Sequence, residues 1–157
     1  MEYDVVDKAE QAIIEMNEKG YVGKDKTVRD KFGKEKRVPK LTNSQIRKFL
    51  TAVNVVKNKV DMFWAKNNDA VSLPDELVTE IKFLKVNIVY QAAKDNTGAV
   101  KSFIMVTNLD KIINDIGNDA NKFNKFCKYV EALVAFHKFY GGRDWLWQKQ
   151  IMVIKKF

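Results

Sequence analysis

Apolar residues recur at helical spacing through most of this chain. One such stripe contains Ile46, Phe49, Val53, Val56 and Val60. Steps of three and four residues place apolar side chains on one face of a helix. Only 2 Pro and 7 Gly occur among the 157 residues, which is too few for the turns of a β-sandwich or β-barrel. We therefore predict an all-α fold, a compact bundle of about five helices.

Helix-capping residues set the predicted boundaries. Thr42 and Gln45 have the spacing of a capping box at the start of the second helix, and Asp4 and Ser72 are the predicted N-caps of the first and third helices. Residues 86–90 are apolar and β-branched enough for a short strand, but they lie within a longer helical period, so we keep them helical. The predicted helices span 4–19, 42–67, 72–95, 99–116 and about 119–140, the last capped by Asn118 or Asp119.

A strongly basic segment follows the first predicted helix. Residues 20–40 contain eight basic and three acidic residues, whereas residues 1–19 contain six acidic and two basic ones. Gly23, Gly33 and Pro39 interrupt any helical period in the basic segment. We therefore predict a basic loop over residues 20–41, with a short hairpin around residues 31–34. We assign residues 1–142 to a single helical domain.

Residues 143–157 form an apolar and basic C-terminal tail. The tail contains Trp145 and Trp147, which are two of the 3 Trp, and the run Ile151-Met152-Val153-Ile154. An apolar segment of this kind needs a surface to cover. Two alternatives follow from this: the tail packs on its own bundle as a further helix or strand, or it docks onto a neighbouring copy or a partner.

Residues suited to catalysis or metal binding are scarce. One Cys and one His exclude an intrachain disulfide, a cysteine-built zinc site and a histidine-rich metal site. The sequence has no phosphate-binding loop, dinucleotide fingerprint or nucleophile elbow. His137 and Cys127 lie on the apolar stripe of the fifth helix, which favours a hydrogen-bonded core histidine and a small buried hydrophobe. We expect no catalytic residues, no metal and no cofactor; the alternative is a nuclease that uses His137.

The formal net charge of +8 and the pI of about 9.4 indicate a polyanionic partner. Lysines and arginines near helix ends, together with the basic loop, can follow a phosphate backbone, where counterion release gives affinity that is independent of sequence. Exposed tyrosines can stack on bases. The candidates for stacking are Tyr90, Tyr129 and Tyr140.

We expect a soluble, cytoplasmic protein with no membrane association. No segment reaches the roughly 18 uninterrupted apolar residues that a transmembrane helix needs. The first residues, 1–4, are acidic and lack the basic and then apolar layout of a secretory signal.

Three stretches of the sequence resemble a known family. They are LTNSQIRKFL at 41–50, FLK at 83–85 with VYQAAK at 89–94, and FCKYVEALVAFHKFY at 126–140. Together with the basic GKEK segment at 33–36, they resemble the small subunit of type III-A CRISPR effector complexes, the Csm complex. The resemblance covers about residues 21–142.

This resemblance implies a helical, non-catalytic subunit of antiviral defence, present in several copies that stack as an inner filament. Its partners would be other copies of itself, the backbone and large subunits, and the duplex of guide (CRISPR) RNA with target RNA. Target cleavage would belong to the backbone subunits, and DNA cleavage and cyclic oligoadenylate synthesis to the large subunit.

Matched by position, the residues expected to bind RNA are Arg47, Lys48, Lys85 and Lys94, followed by Lys128 and Lys138. Lys34, Lys36 and Arg37 join them on charge alone. Contacts of this kind position a duplex without reading its sequence. The alternative is a purely structural helical spacer whose basic residues contact acidic protein neighbours rather than RNA.

Overall fold

The structure is a computed structural model that describes residues 3–141; the predicted tail at 143–157 lies outside the described residues. Within them the regular structure is six helices and one small hairpin, joined by loops, which confirms the all-α prediction, although about five helices were predicted. The elements are α1 (Tyr3–Glu18), β1 (Thr27–Arg29), β2 (Glu35–Arg37), α2 (Asn43–Lys66), α3 (Asp75–Lys94), α4 (Ala99–Thr107), α5 (Leu109–Ile116) and α6 (Ala120–Phe139).

One continuous core runs through the bundle. Helix α6 packs on α1 and on α2, and α3 packs on α2, α4 and α5. Phe49 of α2 meets Phe126 of α6 edge to face, with ring centres 6.3 Å apart, and both rings are buried. The predicted stripe on α2 supplies buried residues along its whole length, so the helical spacing that predicts the fold also describes how α2 packs.

Helix starts follow the predicted capping chemistry at α2 and at α6, where Asp119 Oδ1 accepts from the amides of Asn121 and Lys122 at 2.9 and 3.2 Å, but not at α1 and α3. The Gln45 amide donates to Thr42 Oγ1 and the Thr42 amide donates to Gln45 Oε1, so the predicted capping box is confirmed. Helix α3 instead begins after Pro74, because proline fixes φ and starts a helix without needing a side-chain cap; Ser72 as N-cap was wrong. Asp4 lies in the first turn of α1 rather than before it.

The predicted helix over 99–116 is two helices, because Asn108 breaks it. Asn108 has φ 58 and ψ 28, the left-handed conformation. It is the one non-glycine residue with positive φ between residues 3 and 141, and asparagine tolerates this conformation better than most residues. The Asn108 amide donates to the Ile104 carbonyl, and the Asn108 carbonyl accepts from the Ile112 amide. One residue therefore ends α4 and starts α5.

The basic loop contains the predicted hairpin. Strands β1 and β2 pair antiparallel, with Thr27 opposite Arg37. In the turn, the Asp30 carboxylate accepts from the amides of Phe32 and Lys34 at 2.9 and 3.0 Å. All six strand residues are exposed. Residues 86–90 lie within α3 as predicted. No helix between residues 3 and 141 is both long enough and apolar enough to cross a bilayer.

Candidate nucleic-acid interface

Two contacts and one short connection determine which helix ends lie together. The His137 Nε2 donates to the carbonyl of Leu41 at 2.8 Å, so the end of α6 meets the start of α2. Helices α2 and α3 are antiparallel neighbours because a short connection joins them, and Lys59 Nζ lies 2.6 Å from Glu80 Oε1 between them. The end of α3 therefore also lies near the start of α2. We call the region where the start of α2 meets the ends of α3 and α6 the basic end, because the exposed cations described next lie there.

The basic end collects exposed cations from three helices and the hairpin. Arg47 and Lys48 lie in the first turns of α2, and both are exposed. Strand β2 leads into this end, where the Leu41 amide donates to the Tyr21 carbonyl. The predicted site residues that the structure brings here are Arg47, Lys48, Lys94 and Lys138, with Lys34, Lys36 and Arg37 exposed on the adjoining hairpin.

Lys94 lies over the ring of Tyr90, with its Nζ 4.9 Å from the ring centre. This cation–π contact restricts the side chain while both residues stay exposed. Next to it, Asp95 closes the turn into α4 and accepts from the Val100 amide at 3.0 Å. Partial burial alone would raise the pKa of Asp95, but hydrogen bonds from Thr97, Val100 and Ala99 outweigh it and hold that pKa below its usual value. One carboxylate thus stays ionised beside the basic end.

Two predicted residues lie away from the basic end. Lys85 is half-buried, and its Nζ donates to Asn114 Oδ1 of α5 at 3.1 Å, so it lies on the side of α3 away from α2. Lys128 is exposed on α6, about 15 Å along the helix axis from Lys138 at 1.5 Å per residue. Close to it, Lys57 and Glu131 form an ion pair at 3.6 Å.

Of the three predicted stacking tyrosines, the structure leaves Tyr90 exposed, with Lys94 over one face of its ring. Tyr129 is buried, and its hydroxyl donates to the Thr107 carbonyl at 3.0 Å. Burial raises the pKa of Tyr129 to about 12. Tyr129 therefore belongs to the core, and its prediction as a stacking residue was wrong. Tyr140 is half-buried, with its ring 5.3 Å from that of Phe139.

The residues with catalytic potential are inaccessible. His137 has no exposed surface, and because a carbonyl only accepts, its Nε2 carries the proton shared with Leu41. Burial raises the pKa of the Cys127 thiol to about 12, so the thiolate does not form near neutral pH. Both core predictions are confirmed. Within residues 3–141, His, Cys, Asp and Glu side chains nowhere gather in threes with metal-binding geometry.

The structure also shows an apolar surface that the sequence reasoning missed. On α2, Val55 and Met62 lie four and three residues from Lys59 and so share its face. On α3, Phe83 lies three residues from Glu80 and shares its face. The Lys59–Glu80 ion pair therefore brings these two helix faces side by side. Tyr90 follows Phe83 by two turns. We call Val55, Met62, Phe83 and Tyr90 the outer α2–α3 face; each is at least half exposed. The sequence does contain a sign of this surface, because α3 has apolar residues at positions that do not belong to its buried stripe.

Comparison with known proteins agrees with the resemblance seen in the motifs. A family model described as Csm2 Type III-A matches residues 25–143. The protein named "CRISPR system Cms protein Csm2" from Streptococcus thermophilus is 35% identical over 144 residues, which cover 88% of this chain and 93% of the relative. Its namesake from Enterococcus italicus is 35% identical over 78% of this chain and 86% of the relative.

A more distant relative of the same name, from Mycobacterium tuberculosis, is 29% identical over 71% of this chain and 84% of the relative. The matched region contains the hairpin, α2, α3 and α6, which are the elements that build the basic end. This protein therefore belongs to the Csm2 family, the small subunits of type III-A CRISPR Csm complexes.

Proposed function

We propose that this small subunit binds the duplex of guide RNA and target RNA through its basic end, with most contacts to the target strand. The observation that carries the proposal is the grouping of Arg47, Lys48, Lys94 and Lys138 at one end of the bundle. These residues come from three separate helices, and all four are exposed. Cations held on rigid helices can follow a phosphate backbone without losing much conformational freedom on binding.

Not every predicted cation carries the same weight in this proposal. The exposed Lys36 Nζ lies 3.9 Å from the half-buried Asp30 carboxylate, and a phosphate can displace this long ion pair because such contacts contribute little. Lys34 and Arg37 extend the surface along the hairpin. Lys85 and Lys128 are secondary contacts in the proposal, since a duplex lying across the basic end reaches them only along α3 or α6.

The subunit is proposed to be non-catalytic. His137 and Cys127 are buried, and the Cys127 thiol stays protonated, so neither offers a general base or nucleophile to a bound phosphodiester. The cationic surface instead positions the duplex, while its sequence is read by pairing with the guide. Cleavage would then be the work of the neighbouring subunits.

Neutralising Arg47 and Lys48 tests the proposal. In the assembled complex, we expect Arg47→Ala with Lys48→Ala to weaken target-RNA retention, most visibly once rising salt has brought binding below saturation, although the ratio of the two binding constants narrows as salt rises. Each lost phosphate contact should reduce the slope of log K against log salt by about 1. The measurement is a filter-binding titration at several salt concentrations. The matched control is Lys66→Ala with Lys111→Ala, which removes two exposed lysines away from the basic end.

Unchanged retention at every salt concentration would contradict RNA binding by Arg47 and Lys48. Protein–RNA crosslinking of the same complex then decides the alternative. Absence of crosslinks from this subunit to RNA would favour a structural spacer whose basic residues contact acidic protein neighbours. Crosslinks at Lys94 or Lys138, together with normal retention in the double variant, would show that RNA contacts the basic end at those lysines rather than at Arg47 and Lys48.

The outer α2–α3 face supports the proposal that copies of the subunit stack. Phe83 is 62% exposed and Met62 is 58% exposed, and neighbouring apolar side chains of this size mark a protein contact. In this proposal, one copy covers the outer face of the next. Lys94, at the α3 end of the face, stays at the rim, as charged residues do at interfaces, while Lys59 lies within the face in its ion pair with Glu80.

Placing a charge on this face should prevent stacking. We expect Phe83→Asp to lower the concentration-dependent rise in mass of the full chain, because a buried unpaired carboxylate opposes association. Sedimentation velocity over a concentration series measures it. Met105→Asp, on an equally exposed apolar position of α4, should leave the mass unchanged. Equal behaviour of the two variants would place the contact elsewhere.

A further inference from the structure

A groove runs between α1, the α4–α5 junction and the start of α6. It encloses about 730 Å³. Its floor is apolar and is formed by Val5, Ala12, Val106, Ile112 and Phe126. A groove of this size with an apolar floor is a place where an apolar segment of chain can bind. It lies away from the start of α2, so the basic end does not use it.

The α1 side of the groove is acidic. Asp4, Asp7 and Glu15 line it, with Lys8 as the cation among them; Glu15 is paired with Lys19 at 3.8 Å, so Asp4 and Asp7 carry the acidic character. On the opposite side, Lys122 is neutralised by Asp115, whose carboxylate lies 3.5 Å from the lysine Nζ. Lys125 also lines that side. The carboxylates on the α1 side therefore favour a ligand that is both apolar and cationic.

The segment that follows α6 has this composition. Residues 142–157 contain Trp145, Leu146, Trp147 and the run Ile151-Met152-Val153-Ile154, together with Arg143, Lys149, Lys155, Lys156 and a single acid, Asp144. Their charge is opposite to that of residues 1–19, which contain six acids and two bases. Apolar area and charge sign thus both match the groove.

The segment also begins at a suitable place. The Tyr140 carbonyl touches Gly23, just beyond the C-terminal end of α1, and Gly141 packs on the same glycine. Helix α1 has 16 residues, or about 24 Å of length at 1.5 Å per residue. A segment of the length of 142–157 reaches about 50 Å when extended. It can therefore return along α1 from Glu15 to Asp4.

We propose that residues 142–157 bind, within the same chain, in the groove between α1, α5 and α6. The apolar side chains cover the floor, and the basic ones face the carboxylates of α1. This contact gives the C-terminal segment a place on its own bundle, and it leaves the outer α2–α3 face and the basic end open.

Tryptophan fluorescence of the full chain tests this. Trp64→Phe leaves Trp145 and Trp147 as the emitting residues. We expect short-wavelength emission and weak acrylamide quenching at concentrations where the chain is monomeric, with the urea-unfolded chain as the exposed reference. Asp4→Lys with Asp7→Lys, and separately Val5→Lys, should shift emission to longer wavelength and increase quenching. Circular dichroism confirms that each variant is folded.

The matched control is Asp75→Lys with Glu76→Lys. It makes the same charge reversal in the first turn of α3, at exposed positions, and should leave the emission unchanged. Three results would overturn the proposal. The first is long-wavelength emission, as in the urea-unfolded chain, from the Trp64→Phe protein without further changes. The second is protection of Trp145 and Trp147 from acrylamide that neither groove variant reduces. The third is protection that appears only at concentrations where the chain dimerises, since the segment would then bind a second copy.

Discussion

Replacing Gly23 with alanine should lower the free energy of unfolding by roughly 3 kcal/mol, near the upper end of ordinary single substitutions. Gly23 has φ +62, and a Cβ added there would lie 2.0 Å from the Tyr140 carbonyl oxygen. The left-handed conformation alone costs a non-glycine residue roughly 1–2 kcal/mol. The rest comes from the overlap, which involves backbone on both sides and so cannot be relieved by rotating a side chain.

Gly33→Ala is the matched control for that prediction. Gly33 has φ +76, and a Cβ added there meets nothing within 4 Å. Urea unfolding should therefore show a loss of about 1–2 kcal/mol from the backbone conformation alone. The difference between the two variants measures the close approach of the chain after α1 to the end of α6. Equal losses would show that this approach contributes no steric constraint.

The helices could be predicted because their signal is local. Apolar residues three and four apart define the buried stripe of α2, and the Thr42–Gln45 box marks its start within four residues. The break at Asn108 could not be read in this way, because the apolar spacing continues on both sides of it. What decides the break is that α4 and α5 each pack on α3, and this is a tertiary constraint.

The candidate site was predictable residue by residue but not as a surface. Arg47 and Lys48 are adjacent in the sequence, whereas Lys94 and Lys138 reach the same end only because α3 and α6 both end near the start of α2. Tyr129 shows the opposite limit. Its place in the sequence between Lys128 and Val130 gives no hint that its hydroxyl donates to Thr107, so an aromatic suited to stacking is instead part of the core.

The scarcity of histidine and cysteine has a structural counterpart. The single His137 holds the end of α6 to the residue before α2, and the single Cys127 fills space in the core. Both therefore serve the packing that brings the basic end together. A chain that binds through cations on its surface has no need to expose either residue.

Phe49→Ala should cost about 3–5 kcal/mol of unfolding free energy, the usual loss for a buried phenylalanine. Phe49 is fully buried, and its ring meets Phe126 edge to face. Removing it leaves a cavity between α2 and α6 and also loses the aromatic contact. Urea unfolding followed by circular dichroism measures the loss. Phe83→Ala, at a position 62% exposed, should change the unfolding free energy by less than about 0.5 kcal/mol.

Comparing Phe49→Ala with the double variant Arg47→Ala and Lys48→Ala separates folding from function. Phe49 lies next to Lys48 in the sequence but faces the core, so Phe49→Ala should lower RNA retention only to the extent that it unfolds α2. Retention should return when the protein is assayed at a temperature where the variant is folded. Arg47→Ala with Lys48→Ala should show the reverse, full stability with weak retention. Weak retention by a fully folded Phe49→Ala protein would mean that the α2–α6 contact itself sets the geometry of the basic end.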